Sequence, residues 1–416
     1  MNNWKLKFAA IWGGQAVSIF TSAIMKMALI WHLAITTNSA LVMAIASIAA
    51  FLPQAFLGTV AGALVDKYSR KLVIIGADLY IAGIALSLVV FALFADVPVW
   101  FVMVVLFLRS IGTSFHTPAI SAITPLIVPE NHLTKVAGYT SSLQSLGFIA
   151  GMSVAAILYP LWGIAGMVMM DVGGALAASG AVAIVKIPAL PKVSAENTEL
   201  ICQDEHKAGI WHDILESYNV IKSNKGLFAL LWISAGFTVA FAPINALFPL
   251  MSMDHFGGTT THASIAEIMF GAGMMGGGII VGIWGGFKNR GIGMGIAIAL
   301  MGIAISISGL LPPSGFVFFA AMSALMGLSA PLYSAPHMAL MQEKIPPEFL
   351  GRIFGLYGSL MSFTMLLGLA LSGLLADMVG INIWFFLGGA GIILLAIVTL
   401  ALPSIRGIDK AQEYVS

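Results

Sequence analysis

Two charged residues, Arg109 and Asp171, lie deep inside long apolar runs of this sequence. If each run is a helix that crosses a bilayer, Arg109 lies roughly 15 Å from the helix end, near the membrane midplane. A charge at that depth costs about 3 kcal/mol on insertion scales, so it needs an opposite charge or a wet cavity. Asp171 can pair with Arg109 as a fixed structural contact, or one of the two can bind and release a proton. The sequence leaves both interpretations open.

Three further ionisable residues lie inside apolar runs. Lys26 follows Gln15 and Ser22 at helical spacing, and such a polar stripe is typical of a helix that lines a cavity. Lys26 is also close enough to the end of its run to extend its ammonium group to the membrane surface instead. Glu267, a turn or so inside its run, is a candidate external proton acceptor. Asp78 is interpreted as a partner of the basic segment that precedes it.

The chain offers no pattern for cofactor or metal chemistry. Cys202 is the single cysteine, which excludes a multi-cysteine metal site. His116, His132 and His337 are isolated, and we interpret them as interface residues. No Gly-Lys dipeptide occurs, which excludes a Walker loop, and a net charge of +1 gives no basic footprint for nucleic acid. We therefore expect no cofactor, no metal, no nucleic-acid partner and no enzymatic activity.

The composition predicts an all-α integral membrane protein. The chain is 59% hydrophobic and 9% charged, with a mean hydropathy of +0.98, whereas soluble domains are about 25% charged. One membrane helix needs about 20 apolar residues, so the apolar runs predict twelve spans. Their approximate bounds are 8–34, 40–65, 72–94, 98–122, 135–158, 162–185, 227–250, 263–286, 291–311, 315–341, 350–377 and 382–402.

The distribution of basic residues predicts the orientation of these spans. With both termini in the cytoplasm, every Lys and Arg except Lys26 and Arg109 falls in a cytoplasmic segment. The positive-inside rule describes this asymmetry. We expect a multi-pass protein that is surrounded by the lipid bilayer and has both termini cytoplasmic.

The two halves of the chain repeat each other. VPENHLTKVAGYTSSLQS aligns with IPPEFLGRIFGLYGSLMS at an offset of 217 residues, which matches Gly138 with Gly355 and Ser142 with Ser359. The repeat predicts two pseudo-symmetric six-helix bundles, residues 1–186 and 227–416. Residues 187–226 are expected to be a cytoplasmic linker. The linker contains apolar residues at helical spacing, which predict an amphipathic helix on the membrane surface or against the helix ends: Ile210, Trp211, Ile214, Leu215, Tyr218 and Ile221.

The turn after the second span, GALVDKYSRK, combines glycine and charge at a particular spacing. It resembles the loop signature of the major facilitator superfamily, although a serine stands where the second glycine is usual. The corresponding turn of the second half has Gly286 where an aspartate would stand. The resemblance implies the twelve-helix major facilitator fold, and a carboxylate that contacts a neighbouring helix N-terminus. The alternative is an ordinary basic turn. The implied conformational latch consists of Gly62, Asp66, Lys67, Arg70 and Lys71.

Two further motifs of the superfamily are present in part. LFLRSIGTSF resembles its fourth-helix motif, Arg followed by Gly, with Gly112 one residue early. That resemblance implies a role in proton transfer for Arg109. In the fifth span, Gly147 and Gly151 resemble half of the antiporter signature, whose proline and trailing glycines are absent.

Longer strings are similar to the bacterial macrolide-efflux proteins: NNWKLKFAAIWGGQAVS, FLRSIGTSFHTPA, NKGLFALL, PINALFPLMSMDHF and QEKIPPEFLGR. The resemblance implies proton-driven export of macrolide antibiotics across a bacterial cell membrane, with an ATP-binding resistance protein as a possible partner. On the hypothesis of a drug:proton antiporter, the depth and helical spacing of polar and aromatic residues suggest the site. The proton-coupling candidates are Arg109, Asp171 and Glu267, and the candidates for the substrate cavity are Gln15, Ser22, Lys26, Trp232, Phe241 and Asn245.

Two other functions stay open at this point. The same fold can move another small amphipathic drug, a metabolite or a siderophore, and substrate assays alone separate these from macrolides. A membrane-embedded enzyme or sensor would need a catalytic cluster at one membrane face, and the sequence suggests none.

Overall fold

The computed structural model describes residues 4–37, 40–187, 210–258 and 260–409. Within these ranges the secondary structure is helical and includes no strand, which confirms the predicted fold class. A π-helical turn, Met251–His255, and a 3-10 turn, Pro347–Phe349, separate some of the α-helices. The α-helices are α1 Trp4–Thr37, α2 Ala40–Lys67, α3 Arg70–Phe94, α4 Val99–Ile127, α5 Glu130–Ile184, α6 Ile210–Ser223, α7 Lys225–Leu250, α8 Thr260–Trp284, α9 Arg290–Leu310, α10 Phe316–Lys344, α11 Leu350–Val379, α12 Ile381–Ala401 and α13 Pro403–Arg406.

The helix α5 is two membrane spans joined end to end. Its backbone is interrupted at Gly163, where φ is 58° and ψ is −167°, a conformation that glycine adopts without a steric penalty. Eleven helices among the described residues are long and apolar enough to cross a membrane, and the second half of α5 is one of them. The predicted span 135–158 forms the first half of α5. It completes the twelve membrane helices that the sequence predicted.

The helix predicted in the linker is present as α6, Ile210–Ser223. Two members of its predicted apolar face differ, because Leu215 is exposed and Ile221 is buried. The helix therefore packs part of this face against the protein and leaves the part at Leu215 uncovered. The remainder of the predicted linker, residues 188–209, lies outside the described residues.

The helices form two compact units. Unit 1 consists of Met1–Glu130, Ala150–Lys222 and Gln342–Ser362, and unit 2 of Asn131–Ile149, Ser223–Met341 and Phe363–Ser416. Each unit therefore includes a helix segment from the other half of the sequence. The start of α11 packs in unit 1 and the start of α5 packs in unit 2. The bundle boundaries drawn from the sequence repeat stay a prediction.

Small residues let these two exchanged segments approach their neighbours closely. A β-carbon on Gly355 of α11 would come within 2.1 Å of a carbonyl oxygen of α2, and one on Gly138 of α5 within 2.9 Å of a carbonyl oxygen of α8. The matched serines behave alike, because Ser359 donates to a carbonyl of α2 at 3.3 Å and Ser142 to one of α8 at 3.1 Å. The repeated sequence thus makes the same helix contact twice, once in each unit.

A second glycine contact joins α8 to α10 inside unit 2. A β-carbon on Gly273 would lie 2.0 Å from the carbonyl oxygen of Ala324, and one on Gly327 would lie 1.9 Å from that of Phe270. Membrane helices associate through such small residues because apolar burial alone does not favour protein over lipid. The helix surface at Gly276, one turn along α8 from Gly273, is open for at least 4 Å.

We predict that Gly273→Ala destabilises the protein, because the added methyl group has to displace a backbone carbonyl. Overpacking of this kind costs about 1–3 kcal/mol. The measurement is the thermal unfolding midpoint of the purified protein in detergent, with Gly276→Ala as the matched control on the same helix. A midpoint that falls equally in both variants would contradict the close α8–α10 contact.

Candidate functional site

The two midplane charges of the sequence form an ion pair in unit 1. Arg109 of α4 donates from Nη1 to Oδ2 of Asp171, in the second half of α5, at 2.6 Å. The other carboxylate oxygen accepts a hydrogen bond from Ser22 of α1, also at 2.6 Å. Asp171 is 1% exposed, so its charge is stable only with these partners. Three helices therefore meet at one carboxylate.

A second cation lies near this ion pair. Lys26 is one helical turn beyond Ser22 on α1, close enough for its ammonium group to feel the charges of Arg109 and Asp171. Its side chain is exposed rather than packed. Gln15, the remaining residue of the predicted α1 stripe, is two turns from Ser22 in the other direction. The polar stripe is therefore present on α1, and its middle residue, Ser22, contacts the Arg109–Asp171 ion pair.

Asp78 has a different partner from the one the sequence suggested. Its carboxylate lies 3.2 Å from Nε2 of His116 on α4 and accepts a hydrogen bond from Ser179 of α5 at 3.4 Å. The interpretation of Asp78 as a partner of the basic segment before it is wrong, because Arg70 in that segment pairs with Asp66. Helical spacing places His116 two turns from Arg109 on α4, but it does not specify that this face meets Asp78 of α3.

The carboxylate of Asp66 binds the N-terminus of α11. Its two oxygens accept hydrogen bonds from the backbone N–H of Gly351 at 2.9 Å and of Arg352 at 2.7 Å. The first N–H groups of a helix have no partner within the helix, and its dipole favours a negative charge there. A β-carbon on Gly62, one turn earlier on α2, would lie 2.3 Å from the Gly351 carbonyl oxygen. Gly62 therefore lets Asp66 reach its partners.

Arg70 ties this contact to two other elements. Its guanidinium donates to Asp66 at 2.8 Å, to the carbonyl of Ala122 at the end of α4 at 3.0 Å, and to the carbonyl of Pro347 in the turn before α11. Lys71 donates instead to the carbonyls of Ala183 and Val185, at the end of α5.

The remaining latch candidate, Lys67, has an exposed side chain. The linker helix reaches the same region, because Glu216 of α6 accepts a hydrogen bond from Arg352 at 3.0 Å. Of the five residues that the loop motif suggested, Gly62, Asp66 and Arg70 meet at the α11 N-terminus.

Unit 2 contains a cavity of about 380 Å³. Phe241, Asn245 and Glu267, three residues selected from the sequence, line it together, and Glu267 supplies its charge. The other walls are formed by residues that the sequence did not suggest: Gln144, Ser145, Ile244, Phe248, Phe270, Gly271, Met274 and Met326. Such a cavity, apolar and flexible with a few convergent polar groups, suits an organic ligand.

Trp232 lies elsewhere on α7. Its side chain is 53% exposed and packs edge-to-face on Phe228, and it is not among the residues that line the cavity. The sequence could have singled out the lining residue Ser145, because the repeat places a serine, Ser362, at the matching position of the second half. Ser145 reaches the cavity because the start of α5 packs in unit 2 and not with the rest of the first half. The spacing of residues along one helix does not reveal such an exchange.

The matches with known proteins assign the chain to a class. The family model described as Major Facilitator Superfamily matches residues 11–308 and 240–413. The chain belongs to the Major Facilitator Superfamily, and it is a multi-pass membrane protein of a transporter family.

Particular relatives are also similar to this chain. It is 50% identical over 409 residues to Macrolide efflux protein A of Streptococcus pyogenes, with 98% of each chain covered. It is 48% identical over 333 residues to Macrolide efflux protein A of Enterococcus faecalis, covering 80% of this chain and all of that protein. The crystal structure of the human organic anion transporter MFSD10 (TETRAN) shares the fold, with a TM-score of 0.76, 11% identity and coverage of 96% and 100%.

We predict that Asp66→Asn lowers the thermal unfolding midpoint. An amide keeps one acceptor oxygen, but it loses the charge and turns an N–H₂ group toward a donor. Hydrogen bonds to a charged group contribute about 1.5–3 kcal/mol each. The control is the same change at Asp96, whose side chain is exposed. Equal midpoints for the two variants would refute the importance of the Asp66 contact.

Proposed function

We propose that the protein exports macrolide antibiotics in exchange for protons, by alternating access, across the cytoplasmic membrane of a bacterial cell. The observation that carries this proposal is the 50% identity to Macrolide efflux protein A over 98% of both chains. At this level of identity, spread over the whole length, the helices and the residues that face the substrate are expected to correspond. The positive-inside distribution supports cytoplasmic termini.

The cavity in unit 2 supports an amphipathic cation as substrate. Macrolides carry a tertiary amine on an amino sugar, which is protonated near neutral pH, and a large apolar ring. Glu267 offers the amine a negative charge, and the aromatic rings of Phe241 and Phe270 offer it π faces. A macrolide is larger than 380 Å³, so we infer that this cavity receives the amino sugar and that the ring extends beyond it.

The volume of the cavity also supports a second class of substrate, small amphipathic cations. A smaller amphipathic cation would fit the 380 Å³ cavity whole. In that case the protein would be an exporter of such drugs or metabolites, with Glu267 in the same role.

The ion pair in unit 1 supports proton exchange. When Asp171 is protonated, it no longer neutralises Arg109, and the pair loses most of its attraction. Arg109 and Lys26 are then left with an excess of positive charge, which favours a rearrangement of α1, α4 and α5. One elementary charge that crosses a potential of 100 mV supplies about 2.3 kcal/mol, enough for a modest drug gradient.

The Asp66 contact supports a latch. It joins α2, from the first half of the sequence, to α11, from the second half. A movement that separates α2 from the start of α11 has to break it. We infer that it stabilises one conformation of the transport cycle, with Gly62 and Arg70 holding Asp66 in place. An ATP-binding resistance protein as partner stays a prediction.

We predict that cells expressing the protein accumulate less erythromycin than cells with an empty vector, and that a protonophore abolishes the difference. Arg109→Ala and Asp171→Asn are expected to abolish it as well. The measurement is the uptake of radiolabelled erythromycin in energised cells, with the amount of protein in the membrane checked by immunoblotting. Accumulation equal to that of the vector control, with the protein present, would contradict macrolide export and favour the second substrate class.

We predict that Glu267→Gln raises the erythromycin concentration needed for half-maximal transport by about tenfold, because the loss of one desolvated charge contact is worth about 1.4 kcal/mol or more. Glu130→Gln, at an exposed carboxylate at the start of α5, is the matched control. A neutral macrolide derivative without the amine should be insensitive to the Glu267 change. Equal sensitivity of the amine and the neutral compound would refute charge recognition by Glu267.

A further inference from the structure

A second pair of an acidic and a basic side chain lies in unit 1. The Asp78 carboxylate is 5% exposed and lies 3.2 Å from His116 Nε2, and Ser179 donates to its other oxygen. His116 Nε2 has no hydrogen-bond partner among the described residues, so the 3.2 Å separation is a close approach and not a hydrogen bond. A small rotation of the imidazole ring would form the bond, and an imidazole bonded to a carboxylate can take part in proton transfer. The mechanism proposed above gives this pair no role.

The pair lines up with Arg109 and Asp171 along two helices. His116 follows Arg109 by seven residues on α4, and Ser179 follows Asp171 by eight residues on α5. Seven residues are close to two helical turns, so His116 and Arg109 share a face of α4, whereas eight residues place Ser179 roughly 80° around α5 from Asp171. The two pairs are about 10 to 12 Å apart along the helix axes. They form two levels of one polar column through the unit.

Hydroxyl groups lie between the two levels. Thr113 is on α4, one turn from Arg109, and donates to the Arg109 carbonyl oxygen at 3.1 Å. Thr21 of α1 packs on α5 at Gly174, where a β-carbon would come within 2.0 Å of the Thr21 hydroxyl. Thr21 likewise donates to a carbonyl of its own helix, that of Val17, at 3.0 Å. Each hydroxyl oxygen keeps a lone pair that can accept a hydrogen bond from water between the levels.

An unsatisfied amide lies at the second level. Gly14 of α1 packs against α5 at Ala178, where a β-carbon would lie 3.1 Å from the Ala178 Cα, and this brings the adjacent Gln15 to the level of Ser179. Gln15 Nε2 is buried and has no hydrogen-bond partner among the described residues. Buried polar groups are nearly always hydrogen-bonded, so this amide is a place where water can enter the column.

We propose that Asp78 and His116 form a second proton-carrying site, which receives the proton that Asp171 releases. The inference rests on the proposed proton exchange. In the transfer, the O–H bond of the Asp171 carboxyl group breaks, the proton passes along water between the levels, and it bonds to the Asp78–His116 pair. The Asp171 carboxylate that remains pairs again with Arg109.

The position of the second site explains why a relay is needed. Asp78 follows Arg70, the first residue of α3, by eight residues, so it lies about 12 Å from that helix end. The Arg109–Asp171 pair lies two helical turns deeper. The Asp78–His116 pair therefore stands between the midplane and the end of unit 1 that carries the Gly62–Lys71 turn, which the orientation proposed above places at the cytoplasm.

Charged groups from several helices lie around the second site or at the first level. From α5, the Asp171 carboxylate stands at the first level and Ser179 donates to Asp78. From α4 and α1, Arg109 and Lys26 stand at the first level. From α3, Arg70 is held by Asp66.

His337 of α10 offers a matched comparison. It stands in the second half 221 residues after His116, close to the offset of the repeat, and it is buried, whereas the His116 side chain is 19% exposed. It contacts the hydroxyl of Ser234 at 3.3 Å and stacks on Tyr333. A hydroxyl network thus surrounds the second histidine, whereas a carboxylate faces the first.

The test separates proton coupling from drug binding in proteoliposomes of the purified full-length protein. One assay measures uptake of radiolabelled erythromycin driven by an acidic interior, and the other measures exchange of labelled for unlabelled erythromycin without a gradient. Asp78→Asn and His116→Gln are expected to lose driven uptake by about a hundredfold or more, the scale of a lost proton-transfer group, and to keep exchange. Asp78→Glu should retain part of the driven uptake, and His337→Gln should retain both activities.

Three results in these assays would overturn the relay. Normal driven uptake in Asp78→Asn or His116→Gln overturns the relay. Loss of exchange together with driven uptake in these variants also overturns it, because the pair is then structural. If the wild-type protein exchanges erythromycin but shows no driven uptake, the proposed proton exchange itself fails and the relay with it.

Discussion

A guanidinium that is buried among apolar helices needs a carboxylate within hydrogen-bond reach, and the interior of unit 1 is arranged around this need. Arg109 obtains Asp171, and Asp171 in turn brings Ser22 of α1 into the contact. Removing either charge leaves the other buried and unpaired, which is strongly destabilising. A protein that must break such a pair during its cycle can do so at low cost only by moving a proton or an opposite charge into place. The same requirement that stabilises the three helices therefore makes them responsive to protonation.

Close backbone approach is the complementary constraint. Lipid solvates apolar side chains as well as protein does, so helix association in a bilayer depends on van der Waals contact and interhelical hydrogen bonds. Gly62 and Gly355 bring α2 and α11 close enough for Asp66 to reach the two backbone N–H groups at 2.7 and 2.9 Å. The matched contact of Gly138 on α8 has no carboxylate, since Gly286 stands at the corresponding place. The sequence repeat is thus symmetric in packing and asymmetric in charge, which confines the proposed latch to one of the two contacts.

Hydropathy and basic residues were sufficient to predict the helices, because a membrane span has a required length and composition. The sequence also allowed the pairing of Arg109 with Asp171 to be predicted, because each charge lies near the membrane midplane and needs an opposite charge at the same depth. His116 was different, since its contact with Asp78 depends on which face of α4 meets α3, and one helix's periodicity does not specify its neighbour. The cavity shows the same limit. Phe241, Asn245 and Glu267 followed from polarity and spacing, but Gln144 and Ser145 reach it through the exchange of the α5 segment into unit 2. Trp232 was chosen from the same helix as Phe241, yet its exposed side chain lies away from the cavity.

The central claim is that binding of drug and binding of a proton to the Arg109–Asp171 centre are linked. The most direct measurement is the release of protons when erythromycin is added to the purified protein in weakly buffered detergent solution, followed with a pH indicator. The account predicts that the wild-type protein releases protons on drug binding, and that Asp171→Asn binds the drug without releasing them. Drug binding with no proton release in the wild-type protein, or with the same release in Asp171→Asn, would contradict it.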